Sequence, residues 1–274
     1  MENLPNTNSR PKFSFIGTGF IMPRHAEAVD YINGEVLDFV NESQGPEAWR
    51  EVIKNPRTDY VCILAPNDLH YEMAVESLKL GKTVLCEKPL TIKSSEARSL
   101  QDLGKVFVVL QLRHHPLVKE LREKIRGDKF YNIEMDISVY RDEEYYAGWK
   151  GMSNRSGGVL FNLGIHYFDL LMYLFGDPHR VSTISLDEKT GSGELEGSNF
   201  LCKWRVSTGE RQDNQRRTFK IDGSEYNFSS KDNLSYENLH RFVYEDLLNN
   251  KGVGPVEAAK SIELVEKLYE SHNA

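Results

Sequence analysis

Cysteine is scarce in this chain. Three residues in 274, Cys62, Cys86 and Cys202, are too few for a disulfide framework and lack the paired spacing of a zinc site. Cys62 and Cys86 fall inside apolar strand-like runs, where a reduced, buried thiol is the ordinary state. No metal is expected. A basic excess is also lacking, with 34 Lys and Arg against 41 Asp and Glu and a net charge of −7. That balance argues against a nucleic-acid partner, which needs a concentrated cationic surface. The cluster Arg211, Arg216, Arg217 and Lys220 is interleaved with Glu210 and Asp213 and reads as a solvated loop. Long apolar runs are missing too. Residues 1–12 are polar and Asn/Pro-rich without a signal-peptide core, and no later stretch reaches bilayer length. A cytoplasmic protein without a membrane partner is therefore expected. No internal repeat or low-complexity tract is present.

What remains is ordinary globular material, 39% hydrophobic and 27% charged, enough for two cores. Short apolar runs at 13–17, 36–40, 60–65, 83–86 and 106–110 alternate with amphipathic helical patterns at 23–32, 46–54, 71–80 and 94–103. Strands that are continuously apolar belong to a parallel sheet covered on both faces. The first 116 residues are thus expected to form a Rossmann-type dinucleotide-binding domain of the doubly wound α/β class. From 117 to 274 the pattern changes. A charged helix at 117–125 leads to an alternating strand at 130–140, an apolar helix at 164–175, and further strands at 181–186, 200–206, 218–221 and 225–228. Two amphipathic helices follow at 239–248 and 256–269. This predicts a second α/β domain with a mixed, largely antiparallel sheet for substrate binding and self-association. The last helix, 255–271, is a candidate to pack back on the first domain.

Three segments carry chemistry. In the first, Gly17-Thr18-Gly19 ends the first strand and opens a helix. Gly17 permits the tight turn, and Gly19 lets a pyrophosphate approach the positive helix end. Met22 stands where a third glycine is usual. An acidic or amide side chain near the end of the second strand is expected to receive the ribose hydroxyls; Asp38, Asn41 and Glu42 are all candidates. No arginine at 38–45 is available for a 2′-phosphate, so NAD is favoured over NADP. The second segment, Glu87-Lys88-Pro89, follows a buried strand at the edge where ligands of open α/β sheets gather. A lysine there, its stem against apolar wall, is open to a lowered pKa and general-base work. The third runs from Gly157-Gly158 through Asn162, His166 and Asp169. Asn162 and His166 share a helical face, and Asp169, three residues on, is expected to orient the imidazole.

In this order and at these separations the three segments resemble the glucose–fructose oxidoreductase/inositol dehydrogenase (Gfo/Idh/MocA) superfamily over nearly the whole chain. The Glu-Lys-Pro and Gly-Gly…Gly-x-His-x-x-Asp segments are its specific part. That family usually has Asp where this chain has Asn162. The strings around Pro23-Arg24-His25, Ala65-Pro66-Asn67 with His70, Gln111 to Pro116, Trp149-Lys150-Gly151 and Asn162 to Asp169 are similar to bacterial UDP-N-acetylglucosaminuronate 3-dehydrogenases of surface-polysaccharide synthesis. The resemblance implies an NAD-dependent oxidation at C3 of a UDP-linked N-acetylhexosaminuronate, with Lys88 and His166 as the acid–base pair. It implies a cofactor cleft formed by Gly17, Gly19, Phe20, Ile21, Asp38, Asn41, Ala65, Pro66, Asn67, His70, Glu87, Lys88, Gln111 and Trp149. The substrate would meet Lys88, Arg113, Arg141, Tyr145, Asn162, His166 and His240, with Asn162 holding a sugar hydroxyl. A homodimer or homotetramer is implied as well. Against the family pattern, only residues 41–58 separate the second strand from the next, so about one helix–strand unit of the first domain is missing. That leaves the second strand at the sheet edge. Two other readings stand beside this one: a dehydrogenase of another polyol or hexose, and a non-catalytic cofactor- or sugar-binding protein on the same fold.

Overall fold

The computed structural model describes residues 10–229 and 238–273; the polar stretch at 1–9 lies outside them. The first domain runs β1 (Lys12–Ile16), α1 (Met22–Tyr31), β2 (Glu35–Val40), α2 (Trp49–Ile53), β3 (Tyr60–Ile63), α3 (His70–Lys79), β4 (Thr83–Cys86), α4 (Ser94–Ser99) and β5 (Val106–Val108). Its sheet is parallel, in the order β2-β1-β3-β4-β5. β2 lies at the edge, and only a 3-10 turn and the five-residue α2 separate it from β3. The expected short connection is therefore present, with no further strand between residues 41 and 59.

The continuous apolarity of these strands has a direct cause. Phe13, Phe15, Cys62, Leu64 and Leu85 face one side, where they pack with Ala28 and Val29 of α1. Ile16, Val61, Ile63, Val84 and Cys86 face the other, against Met73, Ala74 and Leu78 of α3 and Ala97 of α4. Each face of the sheet is thus covered by helices, as a parallel sheet requires.

The chain continues through α5 (Pro116–Lys124), β6 (Tyr131–Ser138), α6 (Glu143–Ala147), α7 (Ser153–Ser156), a π-helical turn at Leu160–Gly164 and α8 (Ile165–Phe175). It then runs through β7 (Arg180–Leu186), β8 (Thr190–Glu196), β9 (Phe200–Ser207), β10 (Arg216–Ile221), β11 (Ser224–Asn227), α9 (Leu239–Leu248) and α10 (Pro255–Asn273). The second sheet has the order β11-β10-β6-β9-β8-β7, and β6 pairs with β9 in parallel while the other neighbours are antiparallel. β6 buries Tyr131, Ile133, Met135 and Ile137 and leaves Asn132 and Glu134 exposed, the alternation of a sheet with one covered face.

β8 corrects the strand list, because sequence periodicity gave no sign of it. Its apolar content is low since Gly191 and Gly193 lie under the Trp204 ring. A Cβ at Gly193 would sit 2.8 Å from that ring and 2.0 Å from the Ser182 carbonyl oxygen. Close packing removed the hydrophobic pattern that marks a strand. A second correction concerns length. The stretch Ser153–Phe175 is long and apolar enough to cross a membrane by composition alone, but 72% of its apolar 18-residue window is buried within the protein. α8 is apolar around its circumference because it packs on the second sheet, with Phe168 against Trp204 and Phe175 against Phe200, and against α10 on its other side.

The last two helices return to the first domain. α10 packs on α4 as well as on α8 and β7, and α9 packs on α1. Tyr244 of α9 is fully buried and joins the core formed by Phe13 and Phe15. Just before α10, Val253 bridges Val108, extending the edge of the parallel sheet by one backbone pairing.

Candidate active site

The carboxyl edge of the parallel sheet is where the chemistry-bearing residues gather. Gly17 leaves β1 with φ +106°, and a Cβ there would meet the Leu64 carbonyl oxygen at 2.5 Å. Only glycine fits where the turn passes this close to the end of β3. Around Gly19 the reverse holds: no atom lies within 4 Å of where a side chain would begin. α1 starts directly beyond, with no side-chain cap and no acidic residue in its first turn. Open space before uncapped helix N–H groups is the geometry a pyrophosphate takes. Phe20 is 78% exposed beside this turn, and Lys150 lies 4.2 Å from its ring centroid. The residues present thus fit a dinucleotide.

The ribose candidates separate in the structure. The Asn41 side-chain amide donates to Thr18 Oγ1 at 2.9 Å, which brings it to the glycine turn, and its Oδ1 accepts from the Ser43 backbone N–H. Asp38 instead accepts from Asn55 Nδ2 at 2.6 Å, on the α2 side of the sheet. Glu42 lies in the 3-10 turn beyond Asn41. Asn41 is the candidate adjacent to Thr18.

Across the edge, Ala65 and Pro66 follow β3, and Asn67 donates to the Ser156 carbonyl oxygen at 2.8 Å. His70 is buried with its ring between the carbonyl oxygens of Pro89 and Ala65, at 2.7 and 2.8 Å, so both its nitrogens are engaged by the protein. Lys88 precedes a cis peptide bond to Pro89. Its Nζ donates to the Asn162 carbonyl oxygen at 2.7 Å. Burial, reinforced by the neighbouring positive charges of Lys150 and Arg141, brings its pKa down to about 8 against the pull of Glu87. His166 is held well below the usual imidazole range, first by burial and then by the charge of Lys88, against the pull of Glu87, so its ring is neutral. Its Nδ1 is buried with no protein partner among the described residues, as is Gln111 Oε1 just after β5. The Asn162 amide lies in the π-helical turn, donating to the Lys150 carbonyl oxygen at 3.1 Å.

Two expectations about this site are overturned. Asp169 does not orient His166; both its oxygens accept from Arg113, at 2.6 and 2.8 Å. Arg113 is accordingly committed to Asp169 and Glu257, with its guanidinium 4.6 Å from the Tyr173 ring centroid. A buried arginine selects the nearest carboxylate, and a neutral imidazole offers no competing charge. His240 is likewise no part of a cleft rim. It is buried between the His25 ring, at 5.0 Å between centroids, and Glu87.

Arg141 stacks on Tyr145 at 5.1 Å, and Lys150 reaches the rings of Tyr145 and Trp149 at 5.0 and 5.8 Å. Together they form a cationic, aromatic flank. Lys150 was not singled out from the sequence, although Trp149-Lys150-Gly151 carried the resemblance. His25 likewise received no site role, although Pro23-Arg24-His25 carried the resemblance. Its Nε2 is 3.0 Å from Glu87 Oε1 and its Nδ1 2.8 Å from Tyr244 Oη. A histidine within the first helical turn after a glycine turn was the available signal.

Comparison with known proteins agrees with this architecture. Residues 34–106 match the NAD-binding Rossmann-fold domain of the Gfo/Idh/MocA oxidoreductase family, and residues 122–198 match its C-terminal α/β domain. The WlbA (WbpB) dehydrogenase of Thermus thermophilus, solved with NAD and UDP-GlcNAcA, superposes with a TM-score of 0.84 at 29% identity, covering 93% of this chain and 94% of that one. A D-glucoside 3-dehydrogenase of Escherichia coli is 30% identical over 69% of this chain and 53% of its own length. An NADP-dependent scyllo-inositol 2-dehydrogenase of Bacillus subtilis is 27% identical over 48% of this chain and 39% of its own. This chain therefore spans about half or less of the length of those two relatives. The two matched domains cover more than half of the sequence, and the chain belongs to the Gfo/Idh/MocA oxidoreductase family, with an NAD-binding Rossmann fold as its first domain.

Proposed function

We propose that the protein is an NAD-dependent dehydrogenase that oxidises a secondary alcohol on the ring of an anionic sugar, a UDP-linked N-acetylhexosaminuronate at C3. The observation that carries this reading is the placement of Lys88, bonded to the Asn162 carbonyl oxygen one helical turn before His166, beside Lys150 and Arg141, which flank Tyr145. The cationic flank suits a carboxylate or diphosphate and has no use for a neutral polyol. The likeness to the WlbA dehydrogenase solved with UDP-GlcNAcA supports the same substrate class.

When bound, NAD accepts the hydride from the alcohol carbon. The chain's residues handle the proton and the placement. Neutral His166 takes the hydroxyl proton. Lys88, aimed by its bond to the Asn162 carbonyl oxygen, donates a hydrogen bond to the same oxygen as the carbonyl forms. The Asn162 amide, tied to Lys150, keeps the lysine and the cationic flank in register with the helix that bears His166. Gly17 and Gly19 would hold the pyrophosphate at α1, and Asn41 would take the adenosine ribose.

The test is NADH formation by the purified protein with UDP-GlcNAcA, with a simple glucoside and with an inositol, compared by kcat/KM. A preference for UDP-GlcNAcA is expected. A preference for either neutral substrate refutes the anionic assignment and moves the function toward the glucoside or inositol enzymes. No turnover with any of them, despite NAD binding, favours the non-catalytic reading.

A further inference from the structure

Behind the turn that bears Lys88, three side chains from distant parts of the chain converge. His25 comes from α1, Glu87 follows β4, and His240 comes from α9. We infer that these three residues form a binding site for a single divalent transition-metal ion, with zinc as the fitting occupant.

The geometry is close to what zinc requires. His25 Nε2 and His240 Nε2 lie 3.0 and 3.8 Å from Glu87 Oε1, and one donor atom from each residue falls within 4.8 Å of the others. Zinc bonds of about 2.0–2.2 Å in a tetrahedron separate ligand atoms by roughly 3.3–3.5 Å. The two spacings to Glu87 bracket that value and the remaining one is at most 4.8 Å, so side-chain movements complete the site. Two imidazoles and a carboxylate, with a fourth position for water, form a donor set that zinc takes readily.

His240 is the independent pointer to a ligand. It is only 3% exposed, and neither ring nitrogen has a hydrogen-bond partner among the described residues. A buried imidazole without a hydrogen bond, its nearest carboxylate oxygen that of Glu87 at 3.8 Å, is costly. Coordination of one nitrogen removes most of that cost.

The surroundings of His25 also suit a ligand. Metal-bound histidines characteristically donate their second ring N–H to an oxygen, which fixes the tautomer. Here His25 Nδ1 lies 2.8 Å from Tyr244 Oη, and that hydroxyl is 3.3 Å from Cys62 Sγ. With the proton on Nδ1, His25 donates to Tyr244, Tyr244 donates to the Cys62 sulfur, and the Nε2 lone pair is free to bind the ion. No proton leaves the protein; the hydrogen-bond chain reverses its direction. Glu87 is also restrained, its second oxygen accepting from the Lys88 backbone N–H at 3.3 Å. The bound ion would tie α9 to α1 and to the end of β4. The three ligands share no common motif or spacing and meet only because α9 folds back on α1.

The experiment uses the full chain, stripped with chelator and titrated separately with Co²⁺ and Zn²⁺. One equivalent of Co²⁺ is expected to give the intense visible d–d absorption of a four-coordinate site, with affinity on the order of 1 µM or tighter, and Zn²⁺ is expected to displace it. His240→Gln and Glu87→Gln each retain a side-chain amide for hydrogen bonding and should lose this equivalent, with folding checked by far-ultraviolet circular dichroism. His179→Ala, which removes a surface imidazole 60% exposed, should retain it. The inference is overturned by a wild-type protein without the absorption, by a folded His240→Gln protein that keeps it, or by equal loss in His179→Ala.

Discussion

The Arg113–Asp169 pair joins the end of the first domain to the helix that bears His166, and removing one partner tests how firmly that helix is held. Both carboxylate oxygens of Asp169 are engaged, at 2.6 and 2.8 Å, and the side chains are 4% and 11% exposed for Asp169 and Arg113. Asp169→Ala leaves the guanidinium with Glu257, which is 52% exposed and far weaker as a counter-charge. Breaking a buried pair from one side costs about 3–5 kcal/mol, because the remaining charge stays desolvated. For a chain of this size each kcal/mol lowers the melting temperature by roughly 2 °C. The expected drop is therefore about 6–10 °C, measured by circular dichroism at one fixed scan rate. Arg113→Met combined with Asp169→Leu removes both charges and keeps the volume, so it should recover at least half of the loss. A melting temperature for Asp169→Ala within about 2 °C of wild type would refute the reasoning, showing that Glu257 or solvent compensates Arg113 fully.

Three further outcomes are expected. Lys88→Ala and His166→Ala should each lower kcat/KM by about 10²–10⁴-fold while NAD affinity, read by fluorescence titration, changes little. Undiminished turnover in either variant removes that residue from the proton-handling pair. Asn41→Asp places a carboxylate where the amide now meets Thr18 and should raise the ratio of NADP to NAD dissociation constants about five-fold or more; an unchanged ratio places the ribose elsewhere. Gly17→Ala forces a side chain onto the Leu64 carbonyl oxygen at φ +106°, and should cost about 1–3 kcal/mol of stability in urea unfolding together with most of the NAD affinity. Normal binding by that variant would show that the turn has room to relax.

Much about this protein was written in local sequence. Continuous apolar strands alternating with amphipathic helices specify a parallel sheet covered on both faces, because each run must bury both of its sides. The shortness of residues 41–58 left β2 at the sheet edge. Gly17, Lys88 and His166 were legible because each belongs to a local pattern with a chemical reason behind it. The strand Thr190–Glu196 was not, since the glycines that admit Trp204 are what the pattern lacks.

Partner choice was the tertiary structure's decision. Asp169 lies one helical turn beyond His166 in sequence, yet bonds Arg113, because a buried guanidinium attracts a carboxylate far more strongly than a neutral imidazole does. Asp38 and Asn41 were indistinguishable until the sheet turned one toward Asn55 and the other toward Thr18. His25, Glu87 and His240 share no spacing, and their meeting depends on Tyr244 drawing α9 into the core beside Phe13 and Phe15. Periodicity records which face of an element is buried. Which charged or polar group awaits it there depends on distant elements, and it emerges only when burial obliges every such group to find a partner.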